Sequence, residues 1–179
     1  MIARRSAALL ATVALVTALA ACAPAAAPKP SPTPTGFASK EEAFAAAEKT
    51  YRAYVDALNE VDLSDPATFE PVYAHLTGTA LDGSKKELTN LRAEALTKSG
   101  LTRVKSFENI AANLETSTVA LNVCLDVSEV DLTDTDGKSV VPKTRNDSQL
   151  LSVEFSSDRP GSEHLLIGES DALGDQPCG

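Results

Sequence analysis

At Gly100 the hydrophobic period of the chain changes, and this change restricts the folds open to it more than any other feature. Before Gly100 apolar residues recur at steps of three and four; after it they alternate. Ser39-Lys40-Glu41-Glu42 is a capping box, with Ser39 placed to accept from the Glu42 amide and the Glu42 side chain placed to reach back. Phe44, Ala47, Tyr51, Tyr54, Val55, Leu58 and Val61 then form one apolar helical stripe. Asp65-Pro66 predicts a second, short helix, because Asp is a good N-cap and a proline at the first helical position gives up no hydrogen bond. Phe69, Val72, Tyr73 and Leu76 are its inward residues. Ser84-Lys85-Lys86-Glu87 reads as a second capping box, opening a third helix that carries Leu88, Leu91, Ala95 and Leu96 and ends in a turn at Gly100.

Beyond Gly100 the first strand is expected over residues 102–110. In the next, Val119, Leu121, Val123, Leu125 and Val127 take one face, and Ala120, Asn122, Cys124 and Asp126 the other. Leu151, Val153 and Phe155 mark a third strand and residues 165–167 a fourth. Three N-terminal helices followed by about four strands predict an α+β fold, helices packed on one face of a mainly antiparallel sheet.

This order resembles the nuclear transport factor two (cystatin-like cone) superfamily, in which N-terminal helices cover a strongly curved sheet. More narrowly, residues 38–179 are similar to small actinobacterial lipoproteins of that type. Cys124-Leu125-Asp126-Val127-Ser128, Asp136-Gly137, Arg145 and Cys178 carry the closer likeness. The resemblance implies a cone-shaped domain over residues 37–179. It implies no single activity, since the superfamily hosts isomerases, transport factors and binding modules.

Ahead of the domain stand two segments of different character. Arg4 and Arg5 precede an uncharged stretch, residues 7–21, carrying Leu9, Leu10, Val13, Leu15, Val16 and Leu19. At about 15 residues it is short for a membrane span and suits a signal peptide over residues 1–21. Leu19-Ala20-Ala21-Cys22 resembles a bacterial lipobox. That likeness implies cleavage before Cys22 and diacylglycerol on its thiol. Several acyl chains anchor where one does not. The Arg4-Arg5 pair lacks the neighbours of a twin-arginine signal. Residues 23–36 read APAAAPKPSPTPTG, whose prolines forbid helix and ladder alike. Residues 22–36 are thus expected to be the lipidated cysteine and an extended spacer. The membrane, reached through the lipid, is the one partner these segments call for, with the domain facing the extracytoplasmic side.

The acid excess, 25 against 16 bases for a net charge of −9, argues against nucleic acid, whose binders need a basic face. Cleavage before Cys22 would remove two bases and no acid, so the mature chain would be more acidic still.

Of three cysteines, Cys124 and Cys178 remain once Cys22 is acylated. An exported domain most simply pairs them. The bridge would pin the C-terminal tail across the less apolar face of the sheet. Its rival, a reactive thiol, needs an electropositive setting, which Asp126 and the acidic tail do not offer.

Other constellations are weaker. Asp131, Asp134, Asp136 and Gly137 suggest a calcium loop, but a hand-type register would put Leu132 and Lys143 at its end ligands, so a hairpin turn is the better reading. His75 and His164 lack neighbouring ligands for zinc. Ser162, His164 and Asp171 lack the strand-to-helix turn of a hydrolase nucleophile. Proton-transfer chemistry would need a carboxylate facing a tyrosine in an apolar cavity; Tyr51, Tyr54, Tyr73 and Asp56 are the material, and Asp56 diverges from Tyr54 along the helix. No motif calls for a cofactor or a metal. The sequence therefore favours a membrane-anchored, non-catalytic module binding a small molecule or protein. The alternatives are an envelope enzyme of isomerase or hydratase type and an accessory subunit of an envelope complex.

Overall fold

Ser39 starts the first helix, α1 (Lys40–Asn59): its hydroxyl accepts from the Glu42 amide at 3.2 Å, and Glu42 Oε2 accepts from the Ala38 amide at 2.8 Å. The computed structural model describes residues 36–159, 161–174 and 178. The expected leader, Cys22 and the spacer before Gly36 lie outside these residues. Along α1 the stripe buries Ala43, Ala47, Tyr51 and Val55, with Phe44, Tyr54 and Leu58 packed against the same core. No helix among the described residues is long and apolar enough to cross a membrane.

Asp65 caps the next segment by accepting from the Ala67 amide at 3.0 Å. One 3₁₀ turn (Pro66–Phe69) leads into α2 (Glu70–Tyr73), burying Phe69 and Val72. The third helix departs from its sequence reading. α3 runs Gly78–Ala93, so Ser84 and Glu87 lie inside it and do not cap it. The Ser-x-x-Glu pattern is overridden by tertiary pinning: the Thr77 amide donates to the Ile167 carbonyl at 2.8 Å and the Ile167 amide to the His75 carbonyl at 2.9 Å. That docks the chain on the sheet edge, and α3 starts at once. Its end is a Schellman turn, the Ala95 amide bonding the Arg92 carbonyl (2.9 Å) and the Leu96 amide the Leu91 carbonyl (3.1 Å). Ala95 itself takes the left-handed conformation, φ 54°.

The main sheet has β2 (Arg103–Asn113), β3 (Thr118–Asp126), β5 (Ser148–Ser157) and β6 (Leu165–Ala172), all antiparallel, in the order β2-β3-β5-β6. Val119, Leu121, Val123 and Leu125 face the helices together with Val153, Phe155, Leu165 and Ile167, and all are buried. Register breaks at Val104/Ser106, Asn109/Ala111 and Glu154/Phe155 are bulges, which bend their strands.

A second, two-stranded sheet was not expected. β1 (Thr97–Ser99) pairs antiparallel with β4 (Asp131–Thr133). Gly100 accordingly serves the turn between β1 and β2, not the end of α3. At φ +76° it lies against the Glu129 backbone, where a Cβ would collide with the carbonyl. Asn59 ties this turn to the end of α1: its amide group donates to the Thr102 carbonyl and its oxygen accepts from the Thr102 amide, both at 2.9 Å.

Candidate functional site

Small residues on α3 leave space between the helices and the sheet. Thr79, Ala80, Gly83 and Ser84 share one side of the helix, and a Cβ added at Gly83 would meet nothing within 4 Å. Opposite them stand Tyr51, Tyr54 and Leu58 of α1, Ile167 of β6, and Val130 and Leu132 on and beside β4. The result is a cavity of about 470 Å³. Its walls are largely apolar, with Leu63, Leu76, Leu88 and Leu91 completing them.

Two tyrosines supply hydroxyls to this space. Tyr51 is 1% exposed, its ring held edge-on by Phe107 (centroids 6.1 Å) and Phe155 (6.4 Å). Its hydroxyl makes no hydrogen bond to a described residue, yet no fully occluded polar side-chain atom among those residues lacks a partner. Tyr51 lines the cavity. Tyr54 lies 5.6 Å from Tyr51, ring to ring. Burial holds both phenols protonated. Tyr54 is pushed up to about 12, by burial first and the Glu87 carboxylate second; Tyr51 is raised further, by burial and then by Tyr54.

Lys98 is the cation lining the cavity among the described residues. Its Nζ donates to the Asn59 carbonyl at 3.3 Å, at the C-terminal end of α1, where a positive charge suits the helix dipole. Burial lowers its pKa, and Glu60 partly opposes this. The carboxylates on the lining, Glu87, Glu169 and Asp171, are all exposed.

The residues singled out in the sequence scatter. Cys124 and Cys178 are joined in a disulfide, Cα to Cα 5.7 Å, on the face of the sheet away from the helices. Lys105 Nζ donates to the Cys178 carbonyl there at 3.2 Å. Asp134 closes the expected turn: its carboxylate accepts from the Asp136 and Lys138 amides at 3.0 and 2.9 Å, with Gly137 at φ +76°. No group of His, Cys, Asp and Glu suited to a metal ion occurs among the described residues. Ser162, His164 and Asp171 form no triad; His164 Nδ1 faces Asp158 at 3.6 Å, and the Ser162 hydroxyl accepts from the His164 amide at 3.0 Å. Arg145 donates to the Val127 and Val130 carbonyls at 2.7 and 2.8 Å, a purely structural clamp. Asp56 is exposed and does not line the cavity, and Tyr73 packs on Phe69 outside it. Only Tyr51 and Tyr54 of that set reach the cavity. The α3 wall was missed, although the spacing of Thr79, Ala80, Gly83 and Ser84 signals a helix side stripped of bulk.

No family model matches the chain, and no curated protein does. Among solved structures, a candidate aromatic ring hydroxylase from Novosphingobium aromaticivorans is similar at a TM-score of 0.53 and 12% identity, over 79% of this chain and 94% of that one. The likeness is one of fold. It agrees with an α+β arrangement of helices on an antiparallel sheet and says nothing of chemistry. The intermembrane space region of the chloroplast protein ARC6 follows at a TM-score of 0.47 and 15% identity, over 71% of this chain and 93% of that one, too weak to bear on the fold.

Proposed function

We propose that the chain is a lipid-anchored extracytoplasmic protein whose domain holds a small molecule between its helices and its sheet. The cavity of about 470 Å³ carries this reading, because it falls in the range that ligand sites occupy and its lining is more apolar than polar. The charged start, the short apolar run and Leu19-Ala20-Ala21-Cys22 support the anchor. An isomerase or hydratase would need a carboxylate inside the apolar space beside a second polar group. The lining acids Glu87, Glu169 and Asp171 stand in solvent, which favours binding over proton transfer.

The test has two parts. The full chain is expressed in a bacterium and its mature N-terminal peptide measured by mass spectrometry. Acylated Cys22 is expected; an unmodified Cys22, or cleavage elsewhere, overturns the anchor. The purified chain is then titrated with 2-ethylnaphthalene by calorimetry, beside Gly83→Phe, whose ring has room to enter the cavity. Saturable binding that the variant loses is expected, and no binding to either overturns the ligand site.

A further inference from the structure

Tyr51 and Tyr54 both line the cavity, and neither hydroxyl makes a hydrogen bond to another described residue. Tyr51 is almost wholly buried, and its side chain lines the cavity. A hydroxyl with no protein acceptor bonds water in the cavity, and a ligand that displaces this water keeps the bond only if it offers an acceptor. Tyr51 also cannot turn away: Phe107, Phe155 and Tyr54 hold its ring on three sides.

The rest of the lining defines that partner. Burial keeps both phenols protonated, so they can donate. The ligand must bring an acceptor. The apolar walls from Leu58, Leu63, Leu76, Leu91 and Ile167 ask for a hydrocarbon body. The charge around the space is unfavourable to an anion. Glu87, Glu169 and Asp171 outnumber Lys98, whose ammonium is engaged with the Asn59 carbonyl, and the whole chain is acidic.

Resting on the ligand-binding reading above, we propose that the cavity takes a neutral, mainly apolar molecule bearing a carbonyl or ether oxygen, with the Tyr51 hydroxyl donating to that oxygen and Tyr54 beside it. The glycine at position 83 fits this role. It sits inside α3 with no positive φ to require it and no neighbour crowding it, so its missing side chain serves to keep the wall open. An unneeded helical glycine is otherwise a liability.

A matched set of probes tests the proposal: a neutral naphthyl ketone, 6-propionyl-2-dimethylaminonaphthalene; the hydrocarbon 2-ethylnaphthalene; and the anion 2-naphthoate. The chain has no tryptophan, so probe emission is read without tryptophan background, and the tyrosine contribution is subtracted with the probe-free chain. The full chain is held in amphipol. Non-site partitioning is subtracted with Gly83→Phe, and Ala80→Phe guards against a ring at position 83 that turns outward. Tyr51→Phe removes only the donor, and its melting curve is recorded to show that the fold persists. The ketone is expected to bind Tyr51→Phe roughly three- to tenfold more weakly than the unaltered chain, the worth of one hydrogen bond. The hydrocarbon should bind both equally, and naphthoate more weakly than the ketone. Equal ketone affinity for both chains, or a preference for naphthoate, overturns the proposal and leaves cavity binding standing. Failure of ketone and hydrocarbon alike to exceed the blocked variants overturns the ligand-binding reading, and this proposal with it.

Discussion

At the scale of single residues, His75 carries a pH dependence of stability. Its ring is half-buried at the end of α2, and its pKa is lowered from 6.5, by burial first and by His164 second. A base whose pKa is lower in the folded state is protonated first in the unfolded chain. Unfolding then takes up a proton, so stability falls as pH drops below about 6.5 and continues to fall until the folded-state pKa is passed. Chemical denaturation of the unaltered chain and of His75→Gln between pH 7.5 and 5.5 checks this. The variant should show the shallower slope; identical slopes would mean that the ring is not linked to folding. The same scale shows where sequence reading stops. Gly100 stands out as a glycine in any reading, but its reason lies in the Glu129 backbone, which the chain brings back only through the β1–β4 pair. Asp56 and Tyr54, by contrast, diverge as helical spacing dictates, because two positions on one helix are related by local geometry alone.

Elements were legible in proportion to their own hydrophobic pattern. β3 buries every second residue from Val119 to Leu125, and nothing but a half-buried strand does that. β1 and β4 had no such signal: Thr97-Lys98-Ser99 has no apolar residue and Asp131-Leu132-Thr133 has one. They are strands only because the β2–β3 pair and the Asn59–Thr102 clamp bring them side by side. The start of α3 was misread for a related reason. Ser84-x-x-Glu87 has the local chemistry of a cap, but the bonds between residues 75–77 and β6 settle the start seven residues earlier. The error hid the cavity, since the wall residues Thr79, Ala80 and Gly83 fell outside the predicted helix. The other end of α3 offers a test. The Schellman turn normally places glycine where Ala95 stands at φ 54°, a conformation that strains any side chain. Ala95→Gly is therefore expected to raise stability by about 0.5–1 kcal/mol, the relief of the left-handed Cβ less the added freedom of the unfolded chain. Urea denaturation measures it. A loss of stability would mean that the alanine methyl contributes packing that outweighs the strain.

For the whole molecule, the decisive constraint is that the main sheet has two faces and, among the described residues, helices cover one of them. The inner face is buried by α1, α2 and α3. Cys124 sits on the outer face of the central strand β3, yet is only 2% exposed, beside the bridged Cys178. Cys178 thus covers the middle of that strand on the face away from the helices. Pairing of these two cysteines could be read from the sequence because the expected acylation of Cys22 and expected export leave two thiols with few choices. Which surface the bridge covers followed from alternation along β3. The closed loop spans 54 positions, so the bridge removes about 4 kcal/mol of unfolded-chain freedom in the entropic account. Native strain and residual structure usually reduce that figure. Replacing both cysteines by alanine should lower stability by roughly 2–4 kcal/mol. The melting temperature should fall by on the order of 5–15 °C, compared with the unaltered chain under oxidising conditions. The cavity lies on the other side of the sheet, lined by α1, α3 and β6, so 2-ethylnaphthalene should still bind the double variant at temperatures where it remains folded. If binding is lost while the helical circular dichroism persists, the tail positions the sheet that floors the cavity, and the two faces are coupled. If melting is unchanged, the tail is held by the Lys105 and Leu150 contacts alone and the bridge is redundant.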